Sequence, residues 1–201
     1  VPTFKKEEEN YKEAAKILKE SGADLLVLEM LLDVDHSKIL LNAALETGLP
    51  VWVGLSCCDS KFDNSVIGRN FRAEKEKSLI YDENKYKDQP KYLPEDKIIL
   101  LEDIIKSLTS LGGDVYGIMH TWFQDSIGGL KILKNNWKGP IMFYPEIHKF
   151  DTNTHKAIIT MTEEEFSNSI LELIDDQIQI VGGCCGVNDK HLKRLIQSIS
   201  E

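Results

Sequence analysis

The stretch Ile178-Gln179-Ile180-Val181-Gly182-Gly183-Cys184-Cys185-Gly186 reads as a short apolar strand running into a glycine-rich turn, and an Asn188 cap opens a helix just beyond it. Strand, turn and helix in that order make the repeating unit of a parallel sheet whose loops rise at the strands' carboxyl ends. Working outward from 177–181, four more strands of the same kind are predicted over 24–28, 51–55, 114–119 and 140–144. Helices fill the gaps. Over 7–20 the residues Tyr11, Ala14, Ala15 and Leu18 fall on one stripe, and Ser21-Gly22 stops the helix; the next one ends in the same way at Thr47-Gly48. A longer helix follows Pro94, with Leu101, Ile104, Ile105, Leu108 and Leu111 at helical spacing before Gly112-Gly113. Thr162 and Glu165 form a capping box, and the last helix carries Leu192, Leu195, Ile196 and Ile199.

The region 59–92 breaks this rhythm. It is polar, rich in lysine and without sustained periodicity, so it reads as a long loop or insertion at the sheet's carboxyl end, either a substrate lid or a surface excursion. Phe62, Phe71, Tyr81, Tyr86 and Tyr92 favour partial order there.

Composition narrows the class. With 201 residues and 42% apolar content, the chain can fill a core without cross-links, as a soluble globular protein does. The 33 acidic residues outnumber 24 basic ones for a net charge of −9, which argues against a nucleic-acid partner. No apolar run approaches the roughly 20 residues of a membrane helix, and residues 1–10 turn charged too soon for a signal peptide, so a cytoplasmic setting is expected. The four cysteines form two adjacent pairs, Cys57-Cys58 and Cys184-Cys185, a spacing suited to metal or redox use rather than to a disulfide framework.

Adjacent side chains on a strand point to opposite faces, so neighbouring cysteines do not ordinarily share a ligand. Gly182, Gly183 and Gly186 let the backbone leave strand geometry, which would turn both sulfurs to one point above the strand. Zinc takes thiolates at about 2.3 Å, and catalytic zinc keeps three protein ligands and one open position. The plainer alternative is that Cys184 and Cys185 are small buried apolar residues.

The Gly182-Gly183-Cys184-Cys185-Gly186 run, between a last strand and a C-terminal helix, resembles the zinc motif of the homocysteine S-methyltransferase family. Residues 22–30 (GADLLVLEM) and 48–56 (GLPVWVGLS) are similar to that family's acidic strand and the strand after it. The resemblance covers nearly the whole chain, apart from 59–92, and implies that 1–201 is one domain of a (β/α)8 TIM barrel, with strands four to eight present. Such a barrel needs on the order of 250 residues, so either further N-terminal units are missing here or the chain pairs with another copy or another segment.

The resemblance also implies roles. Glu29 would hold the amino group of homocysteine, the plainer alternative being a salt bridge to a nearby Lys or Arg, and Tyr144 and Glu146 would line the pocket. By its position just beyond His120, Trp122 either walls the site of the methyl donor or is a packing aromatic. A zinc ion is implied as cofactor, and homocysteine with a small onium or folate methyl donor as substrates. The family supplies a cysteine after a Gly-(Ile/Val)-Asn segment, whereas this chain reads Gly117-Ile118-Met119-His120. His120 is therefore the first candidate for third ligand, Cys57 or Cys58 the second, and loss of the metal the third. The rival to methyl transfer is a barrel homologue that keeps the fold as a binding or scaffold protein. His148 and His155 flank the pocket segment as weaker signals. His36 and His191 fall on predicted helices, where a solvated histidine is the ordinary case, and receive no role.

Overall fold

The computed structural model describes residues 3–31, 34–59, 65–68, 99–151 and 156–200. Six helices and nine strands are described, in the order α1 (Phe4–Glu20), β1 (Leu26–Leu31), α2 (Val34–Leu45), β2 (Val51–Leu55), β3 (Cys57–Asp59), β4 (Val66–Gly68), α3 (Leu101–Thr109), β5 (Val115–Trp122), α4 (Phe123–Asn136), β6 (Ile141–Glu146), β7 (His148–Asp151), β8 (Lys156–Ile159), α5 (Glu163–Leu171), β9 (Ile178–Val181) and α6 (Asp189–Ser200). Five strands form one parallel sheet in the order β1-β2-β5-β6-β9, so each strand lies beside the next one of the series, as consecutive units of a barrel do.

Alternation sorts the strand residues onto two faces. Leu26, Leu28, Val51, Val53, Leu55, Tyr116, Ile118, Ile141, Phe143 and Ile178 pack with Leu41, Ile104, Ile105, Leu133, Phe166 and Leu195 of the helices in one continuous core. The other face carries Val115, Met119 and Met142, edged by Trp52, Tyr144 and Ile180. No helix residue joins this second cluster, which gives it the composition of a barrel interior. On that face Met142 sits where a side chain at Gly117 would be, since a Cβ there would overlap Met142 Cγ and its backbone oxygen.

Helices α5 and α6 begin where the sequence signals place them, whereas α3, expected to follow Pro94, begins at Leu101 among the described residues. The Thr162 hydroxyl accepts from the Glu165 amide while the Glu165 carboxylate accepts from the Thr162 amide, completing the capping box. The Asn188 side-chain oxygen accepts from the Lys190 and His191 amides at the start of α6. Helix α1 starts three residues earlier than predicted, because Thr3 is a sufficient cap and accepts from the Lys6 amide.

Several expectations need correction. Of the predicted stripe on α1 only Ala15 is buried, and Leu18 is exposed; on α6 Leu195 is buried while Ile196 and Ile199 are exposed. Helices α1 and α6 belong to the first and last strands of the sheet, so one flank of each lacks a neighbouring helix among the described residues. His191 is buried rather than solvated: its Nδ1 lies 2.9 Å from the Asn188 side-chain oxygen, and its ring meets Phe166 edge-on at 5.7 Å. His36 is engaged as well, with Nδ1 at 2.7 Å from the buried carboxylate of Glu7, which also accepts from the Tyr11 hydroxyl.

Two antiparallel pairs at the sheet's carboxyl end were not predicted. Strand β3 pairs with β4, which falls inside the presumed loop 59–92, and β7 pairs with β8. Three- and four-residue strands are too short to show a hydrophobic period. The aromatics Phe62, Phe71, Tyr81, Tyr86 and Tyr92, together with Pro94 and His155, lie outside the described residues. Among the described residues no helix is long and apolar enough to cross a membrane.

Candidate metal centre

The strand ends of β5, β6 and β9 carry the residues of interest. Strand β5 runs past the predicted boundary at residue 119 through His120 to Trp122, but its pairing with β6 is interrupted between Met119 and Trp122. Inside that bulge His120 takes a φ of 50°, a left-handed conformation that costs a residue with a Cβ about 1–3 kcal/mol. Buried hydroxyls hold it there. Thr121 Oγ1 donates to the Met119 carbonyl at 2.9 Å and accepts the Cys57 amide at 3.0 Å, and Ser56 Oγ donates to the same carbonyl at 3.0 Å. The first strand has a parallel device: β1 shifts register between Leu28 and Leu31, and Met30 has a φ of 61°.

After β9 the chain continues along the edge of β6. The Gly182 amide donates to the Phe143 carbonyl, the Cys184 amide to Pro145 and the Ile147 amide to Cys185. The Val187 amide then donates back to the Cys184 carbonyl at 3.0 Å, closing a turn over 184–187 with Gly186 at its third position and a φ of 90°. That turn breaks the strand alternation, and it brings the two cysteine sulfurs to 3.8 Å. Only Gly186 uses the conformational freedom expected of all three glycines; Gly182 and Gly183 instead leave room for the Tyr144 ring and the Val187 side chain.

His120, Cys184 and Cys185 come together, each offering a ligand atom within 4.8 Å of the other two. The set fits zinc. Two thiolates at about 2.3 Å in tetrahedral geometry stand about 3.8 Å apart, which matches the sulfur separation here. Burial pushes the Cys184 thiol up to about 11, against a partial opposite pull from the backbone amides of Cys185 and His120. A thiol so placed keeps its proton at neutral pH until a cation displaces it.

Cys57 and Cys58 belong to neither this group nor any other donor group among the described residues. Both are buried in β3, and a Cβ at Gly129 of α4 would overlap the Cys57 sulfur, so Cys57 is part of the packing between strand and helix. Glu29 is exposed on the same sheet face as Val27, and its charge, after burial, helps hold the Tyr144 phenol above its usual range. Glu146 is buried at the end of β6, where it pairs in register with Trp122 of β5. Sequence reasoning passed over Thr121 and Ser56; a hydroxyl directly after His120 was the available sign.

If Thr121 positions His120, Thr121→Val leaves a buried amide without its acceptor and should cost about 1–3 kcal/mol in thermal melts. Zinc affinity should fall about 10–100-fold as well, as on loss of an outer-shell partner. Lower stability with unchanged zinc affinity would leave Thr121 a purely structural residue.

The family model for homocysteine S-methyltransferase matches residues 2–78 and 100–199. The chain belongs to the homocysteine S-methyltransferase family. Among solved structures, the metallated form of the homocysteine methyltransferase MmuM from Escherichia coli aligns with a TM-score of 0.63 at 14% identity, covering 95% of this chain and 52% of that one. The apo form of MmuM aligns at 0.65 and 14% identity, over 98% of this chain and 58% of that one. At such identity the likeness speaks for the fold, and it agrees with the serial parallel sheet of this methyltransferase-family chain. The chain spans little more than half the length of those structures. Comparison with curated proteins gives no significant match.

Proposed function

We propose that this homocysteine S-methyltransferase family chain carries the zinc-binding half of a barrel enzyme that methylates homocysteine sulfur to form methionine. The observation that carries this reading is the convergence of His120, Cys184 and Cys185 at the carboxyl ends of β5 and β9. Bound there, zinc supplies the positive charge that keeps a coordinated thiol deprotonated at neutral pH. The two cysteines and neutral His120 make an uncharged complex with a divalent cation, whereas three cysteines would leave it at −1. Such a neutral centre would acidify a coordinated thiol more strongly than an anionic one and leave its sulfur less nucleophilic.

The other residues are assigned to binding. Glu29, exposed on β1, is suited to the substrate ammonium group. Tyr144, whose half-buried ring feels the Glu29 charge, and buried Glu146 line the same end of the sheet. Trp122, beside Glu146 in register, offers an aromatic face to an onium donor. Methyl transfer then needs the sulfur, the methyl carbon and the leaving group held in line, which is a matter of positioning. Phe4, Ile17 and Leu18 on α1 and Ile196 and Ile199 on α6 are exposed, which supports pairing of these two flanks with further barrel units or a second copy. A cytoplasmic setting accords with thiol chemistry of this kind.

Zinc-edge X-ray absorption on protein loaded with one equivalent of zinc tests the reading. Two sulfur ligands and one nitrogen are expected, with one further sulfur when homocysteine is added. A metal-free protein that still binds a partner would instead support the scaffold role.

A further inference from the structure

A second group of donors lies beside the first. Glu146, His148 and Cys185 each offer a ligand atom within 4.8 Å of the other two, so Cys185 belongs to both groups. The five donors do not form a single group within 4.8 Å, whereas any two ligands of one zinc ion stand at most about 4.6 Å apart, twice the longest zinc–ligand bond. They are arranged for two centres with one sulfur in common.

Two features of the second group point to a cation. His148 Nδ1 is buried and finds no hydrogen-bond partner among the described residues, although a buried imidazole nitrogen is ordinarily satisfied. Glu146, buried at the end of β6, brings a carboxylate oxygen to the same point as that imidazole and the Cys185 sulfur. The backbone already holds the group in place: the Ile147 amide, between Glu146 and His148, donates to the Cys185 carbonyl at 2.9 Å, while Thr160 of the β7–β8 hairpin donates to the Ile147 carbonyl at 2.8 Å.

We infer that Glu146, His148 and Cys185 form a second divalent-cation site, and that the Cys185 thiolate bridges it to the His120–Cys184–Cys185 centre. The inference rests on the reading of that first centre as a metal site. A carboxylate oxygen, an imidazole nitrogen and a thiolate suit a borderline cation such as zinc. A thiolate has lone pairs enough for two cations, and two-metal sites place their ions about 3.5–4 Å apart. With two cysteines and Glu146 ionised, two divalent ions leave a net charge of +1, which favours an anionic ligand such as a thiolate or carboxylate at the open positions.

The test uses the full chain, zinc and native mass spectrometry, with cobalt substitution as a second readout. Two zinc ions per chain are expected. His148→Ala and Glu146→Gln should each weaken the second ion at least about tenfold and spare the first, and Cys185→Ser should weaken both. Thermal melts identify a variant that has merely unfolded, and isosteric Glu146→Gln is the guard against that outcome. Two cobalt ions in the unaltered chain should show magnetic coupling through the shared sulfur, absent from His148→Ala. One zinc per chain, lost on His120→Ala and indifferent to His148→Ala, overturns the second site and leaves the first intact. A chain that binds no zinc overturns both, and a second zinc that survives both His148→Ala and Glu146→Gln is adventitious and overturns the inference.

Discussion

A Cys184→Ser chain is expected to lose the first zinc altogether at micromolar metal, with a fall in affinity well beyond the about 10–100-fold typical of an outer-shell change. The reason lies in the turn over 184–187. It sets the two sulfurs 3.8 Å apart, the separation that two thiolates on one zinc ion require. Serine is nearly isosteric, but its oxygen stays protonated and is a poor ligand for zinc in place of a thiolate. The fold should hardly notice, because Cys184 is only partly buried and its backbone bonds to Pro145 and Val187 persist. Competition with a chelator gives the affinity, and a thermal melt of the metal-free proteins gives the control. Retention of the full zinc complement at wild-type affinity by Cys184→Ser would remove the basis of the proposed chemistry, since the first group alone among the described donor groups includes that position.

Gly117→Ala should unfold the chain more readily than any change at the donor residues. A Cβ at this position overlaps the Met142 backbone oxygen as well as its Cγ, and strand β6 cannot give way without loosening the pairing of Gly117 with Met142 that joins it to β5. The expected cost is about 3 kcal/mol, at the upper end of the range for overpacking, or about 6–12 °C in Tm for a chain of this size. Because His120 lies three residues along the same strand, zinc affinity should fall with it. Adding Met142→Ala should recover only part of the loss, as the side-chain overlap is relieved and the backbone overlap remains. A Gly117→Ala chain that melts within about 2 °C of the parent would show that the two strands are less tightly joined than their register indicates.

How far the sequence discloses this molecule differs from element to element. The five strands of the sheet were legible because each is a run of apolar residues between helices with their own caps, and the capping box at Thr162 and Glu165 forms as its spacing requires. The short hairpins were not, since three or four residues carry no period. Nor was the burial of His191. Beyond the Asn188 cap beside it, its place follows from the Phe166 ring of a different helix and the Met161 carbonyl, contacts that its own segment does not announce.

The donor set shows the same division. The convergence of Cys184 and Cys185 was legible from the glycines around a vicinal pair at a strand end, and that of His120 because it stands where the resembling family has cysteine. That Thr121 and Ser56 hold His120 in a left-handed conformation was hidden, because their partners come from a strand more than sixty residues away. The sharing of Cys185 with Glu146 and His148 was hidden too, as it depends on how the end of β6 lies against the turn after β9.

The chain's own order of residues determined a series of strand-helix units, their parallel sheet and a cysteine pair at its carboxyl end, because periodicity, caps and turn residues act over a few positions. Tertiary structure alone decided which donors meet, which histidines are buried and which face of the sheet holds the methionines. Those outcomes depend on distances between strands that are far apart along the chain, and local preference carries no information about them.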